Sequence, residues 1–574
     1  MQQLLLGLGG AQKLGWIMTF THDGHANADW YHYANDSSGY NTQSKNCYKG
    51  VTGDDSTGIW FAIASRQDPL TWNGSVDHIN GCSNIFKIDK DGTVLAKCAM
   101  GGGGWNYYNG TLFVNDQEKL IRQGNYSADC LSLSGTTFTH HWSIGNGLNA
   151  QGHSNAPINT GGDGWANESV GYYNPHPSIW HWTASDKLWY WTRLEEQSGY
   201  GRYYGNCGPL PVNVSTGAWD TNYSGGGNYI ALNYASAGPN AVQTVNSRTY
   251  FSQMMWYVYN GGGNWFRGNG LFRYDTAATN YSNSFTGPHS SSNHEWQRLI
   301  TYAPGNWSYS NSPYDNNYFY MWVHDTGSSE KLYIGGKKHQ YSNTNSNSYA
   351  GNWANNENNF VGKLGDDDNQ FDWCSNLHGG STSTYGSESM DSDGGDDAMG
   401  GVMSVRPDGN GNCISVHASK NHVVSNKNEI LIAKWNDSTG ALISVYGIAC
   451  ITSGHNFPDF SFGRQKGCLT TGDAVYIRIY TEGHKPVILK LPLDIGSLAG
   501  NHSIGGLTFT IGAANGVTQG NMTKDRIGFA EDGYNPYYND DYDHSRDNML
   551  SSGGNNGYGF SNGTPSITRS HTEI

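Results

Sequence analysis

One pattern recurs along this chain and limits what it can fold into. A short run of alternating apolar residues is followed by a polar turn of Asp, Asn, Ser, Thr or Gly, and then by a second alternating run. Alternation with period two puts every other side chain on one face of a strand, and a tight polar turn joins two such strands as a hairpin. Ile85-Phe86-Lys87-Ile88-Asp89-Lys90-Asp91-Gly92-Thr93-Val94-Leu95 is one copy, and the stretch from Ile430 to Ile443 is the clearest. Weaker copies have their turns near Ser134, Ser215, Asp275, Asp325 and Asp494. Other strand-like runs lie between them, among them Leu112-Phe113-Val114, Ile179-Trp180-His181-Trp182 and Val475 to Tyr480. Two hairpins make a four-stranded unit, and such a unit buries both faces only by stacking on neighbours like itself. The expected fold is therefore all-β: a β-propeller of about six to eight four-stranded blades with loop insertions. A tandem array of sandwiches is the competing architecture. The spacing is uneven, with a 112-residue gap between the turns at Asp325 and Asp437.

Composition supports an ordered β protein. Only 14% of residues are charged, while aromatics reach 13% with 20 Trp and 38 Tyr, and there are 78 Gly. Disordered chains are polar too, but they lack aromatic and β-branched residues. The net charge of −15 and the absence of a basic stripe argue against nucleic acid as partner, because phosphate contacts need clustered Lys and Arg. No apolar run approaches the ~20 residues of a membrane-spanning helix, and the first ten residues lack the basic region of a signal peptide. Membrane insertion is not expected. The nine Cys are scattered without a CxxC pair, which fits reduced, buried thiols.

Three organisational features follow. Residues 1–15 form a short Leu/Gly-rich N-terminal segment, 16–510 the propeller, and 511–574 a C-terminal extension or closing segment. Within the propeller, residues 338–400 read as a Gly/Asn/Asp-rich insertion.

No nucleophile elbow, phosphate loop, HExxH or paired-carboxylate motif occurs in a credible setting, so no catalytic residues and no cofactor are expected. His22, His25 and His32 lie near Asp23 and Asp29, but alternation along an extended chain turns residues 22 and 25 to opposite faces. Polar loop histidines hydrogen-bonded to turns are the simpler reading there, while His140, His141, His176 and His181, intermixed with Trp and Tyr, suit hydrogen-bonded aromatic packing. The run Asp366-Asp367-Asp368 could supply the hard oxygens that calcium needs, and it is the metal candidate of this sequence. Trp105, Tyr107 and Tyr108, which follow four glycines, and Trp373, which follows the acidic run, are the candidate glycan-contact residues. Aromatic rings on Gly/Asn-rich loops stack on sugars at low entropic cost.

The start Leu4-Leu5-Leu6-Gly7-Leu8-Gly9-Gly10, then Leu14-Gly15-Trp16-Ile17, then hairpins of the type Ile-x-Lys-x-Asp/Asn-x-x-Thr/Asp-Gly-x-Leu, resembles β-propeller-repeat virion structural proteins of tailed phages that infect aquatic bacteria. The resemblance covers about residues 1–510. It implies a tail-fibre or tail-associated protein of the virion, present in multiple copies or as a homo-oligomer. Its partners would be other virion proteins and, through its surface, a host glycan. It makes Leu4, Leu5, Leu6 and Leu8 the attachment residues, since an apolar strand readily augments a neighbouring sheet. A secreted or surface-layer adhesin, a glycosylated lectin using Asn73, Asn109 or Asn125, and a propeller glycan-degrading enzyme are the alternatives.

Overall fold

The computed structural model describes residues 15–22, 51–65, 70–72, 75–77, 82–101, 111–123, 127–145, 179–195, 205–217, 241–259, 265–275, 294–301, 319–337, 359–365, 371–379, 399–457, 468–481, 486–520, 528–530, 560–561 and 567–574. Among these residues every regular element but one short 3-10 turn is a strand, and every strand pairing is antiparallel.

The chain opens with β1 (Trp16–His22). Blade 1 follows: β2 (Val51–Asp54), β3 (Gly58–Ser65), β6 (Cys82–Ile88) and β7 (Val94–Gly101), with a small pair, β4 (Leu70–Trp72) and β5 (Ser75–Asp77), between β3 and β6. Blade 2 is β8 (Thr111–Val114), β9 (Lys119–Gln123), β10 (Ser127–Ser134) and β11 (Thr137–Gly145). Blade 3 shows β12 (Ile179–Ala184), β13 (Lys187–Glu195) and β14 (Gly205–Val212). Blade 4 has β15 (Ala241–Val245), β16 (Arg248–Tyr259), β17 (Trp265–Asp275) and β18 (His294–Thr301). Blade 5 has β19 (Phe319–Asp325), β20 (Glu330–Lys337), β21 (Asn359–Gly365) and β22 (Phe371–Ser375); β23 (Leu377–His378) comes after it. Blade 6 has β24 (Met399–Pro407), β25 (Asn412–Lys420), β26 (Asn428–Asn436) and β27 (Leu442–Cys450). Blade 7 supplies β28 (Cys468–Thr470), β29 (Ala474–Tyr480) and β30 (Pro486–Pro492), and its fourth strand is β1, paired Trp16↔Lys490 through Thr19↔Val487.

The first strand of each blade lies at one end of its sheet, and these seven strands touch in sequence: β2 with β8, β8 with β12, β12 with β15, β15 with β19, β19 with β24, β24 with β28, and β28 with β2. The ring is closed. The protein is a seven-bladed β-propeller with β1 completing the last blade, inside the expected range of blade number.

The rest of the chain decorates the rim. β31 (Gly500–Ile504) and β32 (Leu507–Ala513) widen blade 6 on its outer side, and β33 (Thr518–Gln519) pairs with β23. β34 (Gly528–Ala530), β35 (Phe560–Ser561) and β36 (Ile567–Glu573) add to the outer edges of blades 4, 1 and 7. The C-terminal segment therefore binds blades that precede it in the ring, and β36 encloses β1 from the side opposite β30.

The core lies between blades, as alternation demands. Ile17, Ile414, Ile432, Ile477 and Leu489 fill the space between blades 6 and 7. Met18, Phe61, Ile88 and Ile488 fill that between 7 and 1, and Leu271, Met321, Leu332 and Phe360 that between 4 and 5. The expected insertion at 338–400 is corrected here. Residues 359–365 and 371–375 are the two outer strands of blade 5, full of buried apolar side chains such as Val361, Leu364 and Phe371. The 112-residue gap has the same origin. The turn at Asp325 joins the first two strands of its blade, whereas the turn at Asp437 joins the last two of the next.

Candidate functional site

Antiparallel order gives the ring two unlike faces. Turns between first and second strands, and between third and fourth, lie on one face; the other connections lie on the opposite one. On the turn face, all seven first turns are only two to four residues long. The strand ends on the connector face are joined in sequence by 23–50, 102–110, 146–178, 302–318 and 338–358, which fall outside the described residues.

The turns are short because their side chains close them. Asp54 Oδ1 accepts N–H groups of Ser56 (2.8 Å) and Thr57 (2.9 Å), Asn115 Oδ1 those of Gln117 (3.0 Å) and Lys119 (2.8 Å), and Asp408 Oδ1 those of Asn410 (2.7 Å) and Asn412 (3.0 Å). The third-to-fourth turns use the same device at Asp89, Asn213 and Asn436. A short Asx side chain bonding its own following backbone is the reason these residue types head turns.

These outer turns are also gripped by the preceding blade. The Trp16 indole N–H of blade 7 donates to Lys90 O (3.0 Å), that of Trp142 in blade 2 to Val214 O (2.8 Å), and that of Trp373 in blade 5 to Asp437 O (2.8 Å). Each acceptor is the residue just after the capping Asx, and each donor sits on the fourth strand of its blade. In two of the three a lysine on the third strand, directly opposite the Trp, reaches the same carbonyl: Lys490 Nζ at 2.8 Å and Lys363 Nζ at 3.2 Å. On the second strand opposite those lysines stand Tyr476 and Tyr333, whose hydroxyls donate to Asp55 Oδ1 (2.5 Å) and Asp437 Oδ1 (2.9 Å). Lys363 Nζ closes the arrangement on Asp437 Oδ2 at 2.5 Å. Burial, reinforced by the neighbouring carboxylate, pushes both tyrosine hydroxyls up, so they remain donors. Blade 4 repeats the row as Tyr250, Arg273 and Trp296 in cross-strand register, and the Tyr250 hydroxyl bonds Glu330 of blade 5.

Trp373 is thus not a contact residue: it is 4% exposed, and the turn glycine Gly440 lies so close that an added Cβ would stand 2.6 Å from its ring. Trp105, Tyr107 and Tyr108 fall in 102–110, outside the described residues, on the connector between blades 1 and 2. Asp366, Asp367 and Asp368 also fall outside them, between β21 and β22, in the place that the Asx-headed turns occupy in other blades. Leu4, Leu5, Leu6 and Leu8 lie outside as well, as do His25, His32 and His176. Among the described residues no group of three or more His, Cys, Asp or Glu is placed to hold a metal ion. His141 Nε2 meets Ser132 Oγ at 2.7 Å and His181 Nε2 meets Thr244 Oγ1 at 2.6 Å, ordinary hydrogen-bonded histidines.

Sequence reasoning missed two polar features. Arg406, on the inner strand of blade 6, stacks on the Trp322 ring at 4.1 Å and donates to Thr470 O of blade 7 at 3.0 Å, joining three inner strands. Ser415 Oγ and His417 Nε2 lie 2.6 Å apart, a pairing that in an open cleft would suggest an activated nucleophile. Both are fully buried on β25, Trp435 donates to the same Oγ at 2.7 Å, and burial drives the imidazole pKa down to about 3. A substrate has no path to that hydroxyl, so the pair is a core hydrogen bond. Among the described residues no helix is long and apolar enough to cross a membrane.

No family model and no curated protein matches this chain. Solved structures that resemble it include extracellular domains 1–2 of Drosophila Semaphorin 1a, with TM-score 0.33 and 12% identity over 77% of this chain and 86% of that one. Drosophila Plexin A in complex with Semaphorin 1b gives TM-score 0.32 and 8% identity over 82% and 88%. These likenesses are remote, and the class of protein, a seven-bladed propeller, is defined by the closed ring of strands.

Proposed function

We propose that this propeller is a non-catalytic virion structural protein, a tail-fibre or tail-associated component that works by surface contact outside a cell. The observation that carries this reading is the division of the ring. One face carries the short first turns, most of them capped by their own side chains, while the strand ends on the opposite face are joined by the longer Gly-, Asn-, Tyr- and Trp-rich stretches of sequence that include Trp105, Tyr107 and Tyr108. A rigid scaffold whose strands are joined by long aromatic-rich sequences is the kind of framework on which recognition surfaces are built. Many polar groups of the turn face go into turns and inter-blade bonds, which accords with a scaffold role. The ligand class best suited to such connectors is a host-surface glycan. Binding of the purified protein to a glycan array, lost in the triple variant Trp105→Ala, Tyr107→Ala, Tyr108→Ala with an unchanged melting curve, is the expected result. An array without a single bound glycan would remove the glycan reading, and absence of the chain from purified particles by mass spectrometry would remove the virion reading.

A further inference from the structure

We propose that the turn-face mouth of the central channel holds a binding site for a small carboxylate, with the Arg406 guanidinium as its anchor. This goes beyond the connector surface proposed above and does not depend on it.

The order of the strands places Arg406. Its strand, β24, touches β19 on one side and β28 on the other, while β25 pairs along its outer edge. The guanidinium lies 4.1 Å from the centre of the Trp322 ring of β19 and donates to Thr470 O of β28 at 3.0 Å. A group that meets the strands on both sides of its own, with the outer edge already paired, stands on the channel side. Trp322 and Arg406 lie near the ends of β19 and β24, and Thr470 ends β28, so the cluster is at the level of the first turns.

This guanidinium is under-used. It is only partly exposed, yet of its several N–H groups only Nη1 has an acceptor among the described residues, and no carboxylate there pairs with it. Burial accordingly pulls its pKa down, and the charges of Tyr320, Asp55 and Asp54 offset this only in part. The Trp322 indole N–H in the same cluster is buried and also lacks an acceptor among the described residues. Buried donors are rarely left without partners, so two donors short of acceptors in one cluster mark a place for an acceptor from outside. A guanidinium laid over an indole keeps its N–H edge free, and that edge is what a carboxylate engages in a two-pronged pair.

The neighbours set the charge that the ligand can carry. Asp54 Oδ1 is taken by Ser56 and Thr57, and Asp55 Oδ1 by the Tyr476 hydroxyl, so neither turns that oxygen to Arg406. Burial and Arg406 together hold His324 towards its neutral form. Two fixed negative charges nearby tolerate a monoanion on Arg406 and repel a dianion. The ligand class is therefore a planar carboxylate, of a sugar acid or a simple organic acid, rather than a phosphate.

Calorimetric titration of the full chain at neutral pH with glucuronate, lactate, glucose and inorganic phosphate tests this. Glucuronate should bind one per chain, and glucose and phosphate should not displace it. Arg406→Gln should weaken binding at least about tenfold, as expected when a charge-assisted hydrogen-bonded pair is lost. Arg406→Lys keeps a cation and a donor for Thr470 O but loses the fork, so it separates recognition from folding and should also weaken binding. Trp322→Phe keeps a ring against the guanidinium and should weaken it several-fold. Lactate bound as well as glucuronate upholds a site that reads the carboxylate alone; a preference for glucuronate upholds one that reads the sugar too. The triple variant Trp105→Ala, Tyr107→Ala, Tyr108→Ala should bind glucuronate like wild type, whatever becomes of the connector reading. No binding of either carboxylate, displacement by glucose, or wild-type affinity in both Arg406 variants would overturn the inference.

Discussion

At the scale of the residue, the grip of one blade on the next outer turn is the unit that repeats, and it can be measured. Trp373→Phe keeps a ring against Gly440 but removes the N–H donated to Asp437 O. The expected loss is about 0.5–1.5 kcal/mol, the net worth of one hydrogen bond, because Lys363 Nζ still reaches Asp437 O. Trp16→Phe should cost a similar amount, because its indole plays the same part at Lys90 O. Thermal unfolding of both variants checks this, and a midpoint equal to wild type would show that the grip is decorative. His417 makes a pH prediction. Its folded pKa is driven down to about 3 from the ordinary 6.5 by burial, so the fold favours the neutral ring. The stability this contributes is complete above pH 6.5 and is lost as pH falls from 6.5 towards 3, by up to about 1.4 kcal/mol per pH unit. His417→Gln, which keeps an amide near Ser415, should flatten that part of the acid limb in denaturant midpoints measured between pH 7 and 4. An unchanged slope would assign the acid sensitivity to other groups.

Among elements, β1 is the piece on which ring closure depends. It is held by β30 on one side and by β36 on the other, so opening the ring requires breaking two ladders that come from distant parts of the sequence. Non-local closure of this sort is slow to form and, once locked, slow to open. Removing residues 560–574 deletes β35 and β36 and leaves the seven inner strands untouched. Backbone amides of residues 17–19 should then exchange with solvent at least tenfold faster, while those of β26, in the middle of blade 6, keep their protection. Equal exchange of residues 17–19 in full and truncated chains would show that β36 is not the lock. The same strands explain why a domain boundary at 511 separates less than the composition implies: β34 to β36 are each too short or too polar to stand alone, and they exist as edges on blades already built.

For the whole molecule, the hairpins were legible because period-two alternation and Asx/Gly turns are local signals. The turns at 89, 134, 215, 275, 325 and 437 follow strands of blades 1 to 6 in order, whereas Asp494 follows the third strand of blade 7 and leads to β31 on the edge of blade 6 instead of closing a hairpin. Their irregular spacing was not interpretable locally, since nothing in a hairpin says whether it is the first or the second of its blade. Trp373 shows the same limit at the candidate site. An aromatic after an acidic, Gly-containing run reads as a loop residue, and only the neighbouring blade's Asp437 and Gly440 reveal that it is enclosed. The sequence alone determined that this is an ordered, antiparallel β protein of repeated hairpins, because strand periodicity, turn chemistry and aromatic content are properties of short stretches of chain. Tertiary structure alone decided that the repeats number seven and close on an N-terminal strand, that the C-terminal segment belts earlier blades, and that turns and connectors part to opposite faces. Those outcomes depend on which distant strands share a ladder, and pairing across hundreds of residues leaves no mark in the local pattern that each strand carries.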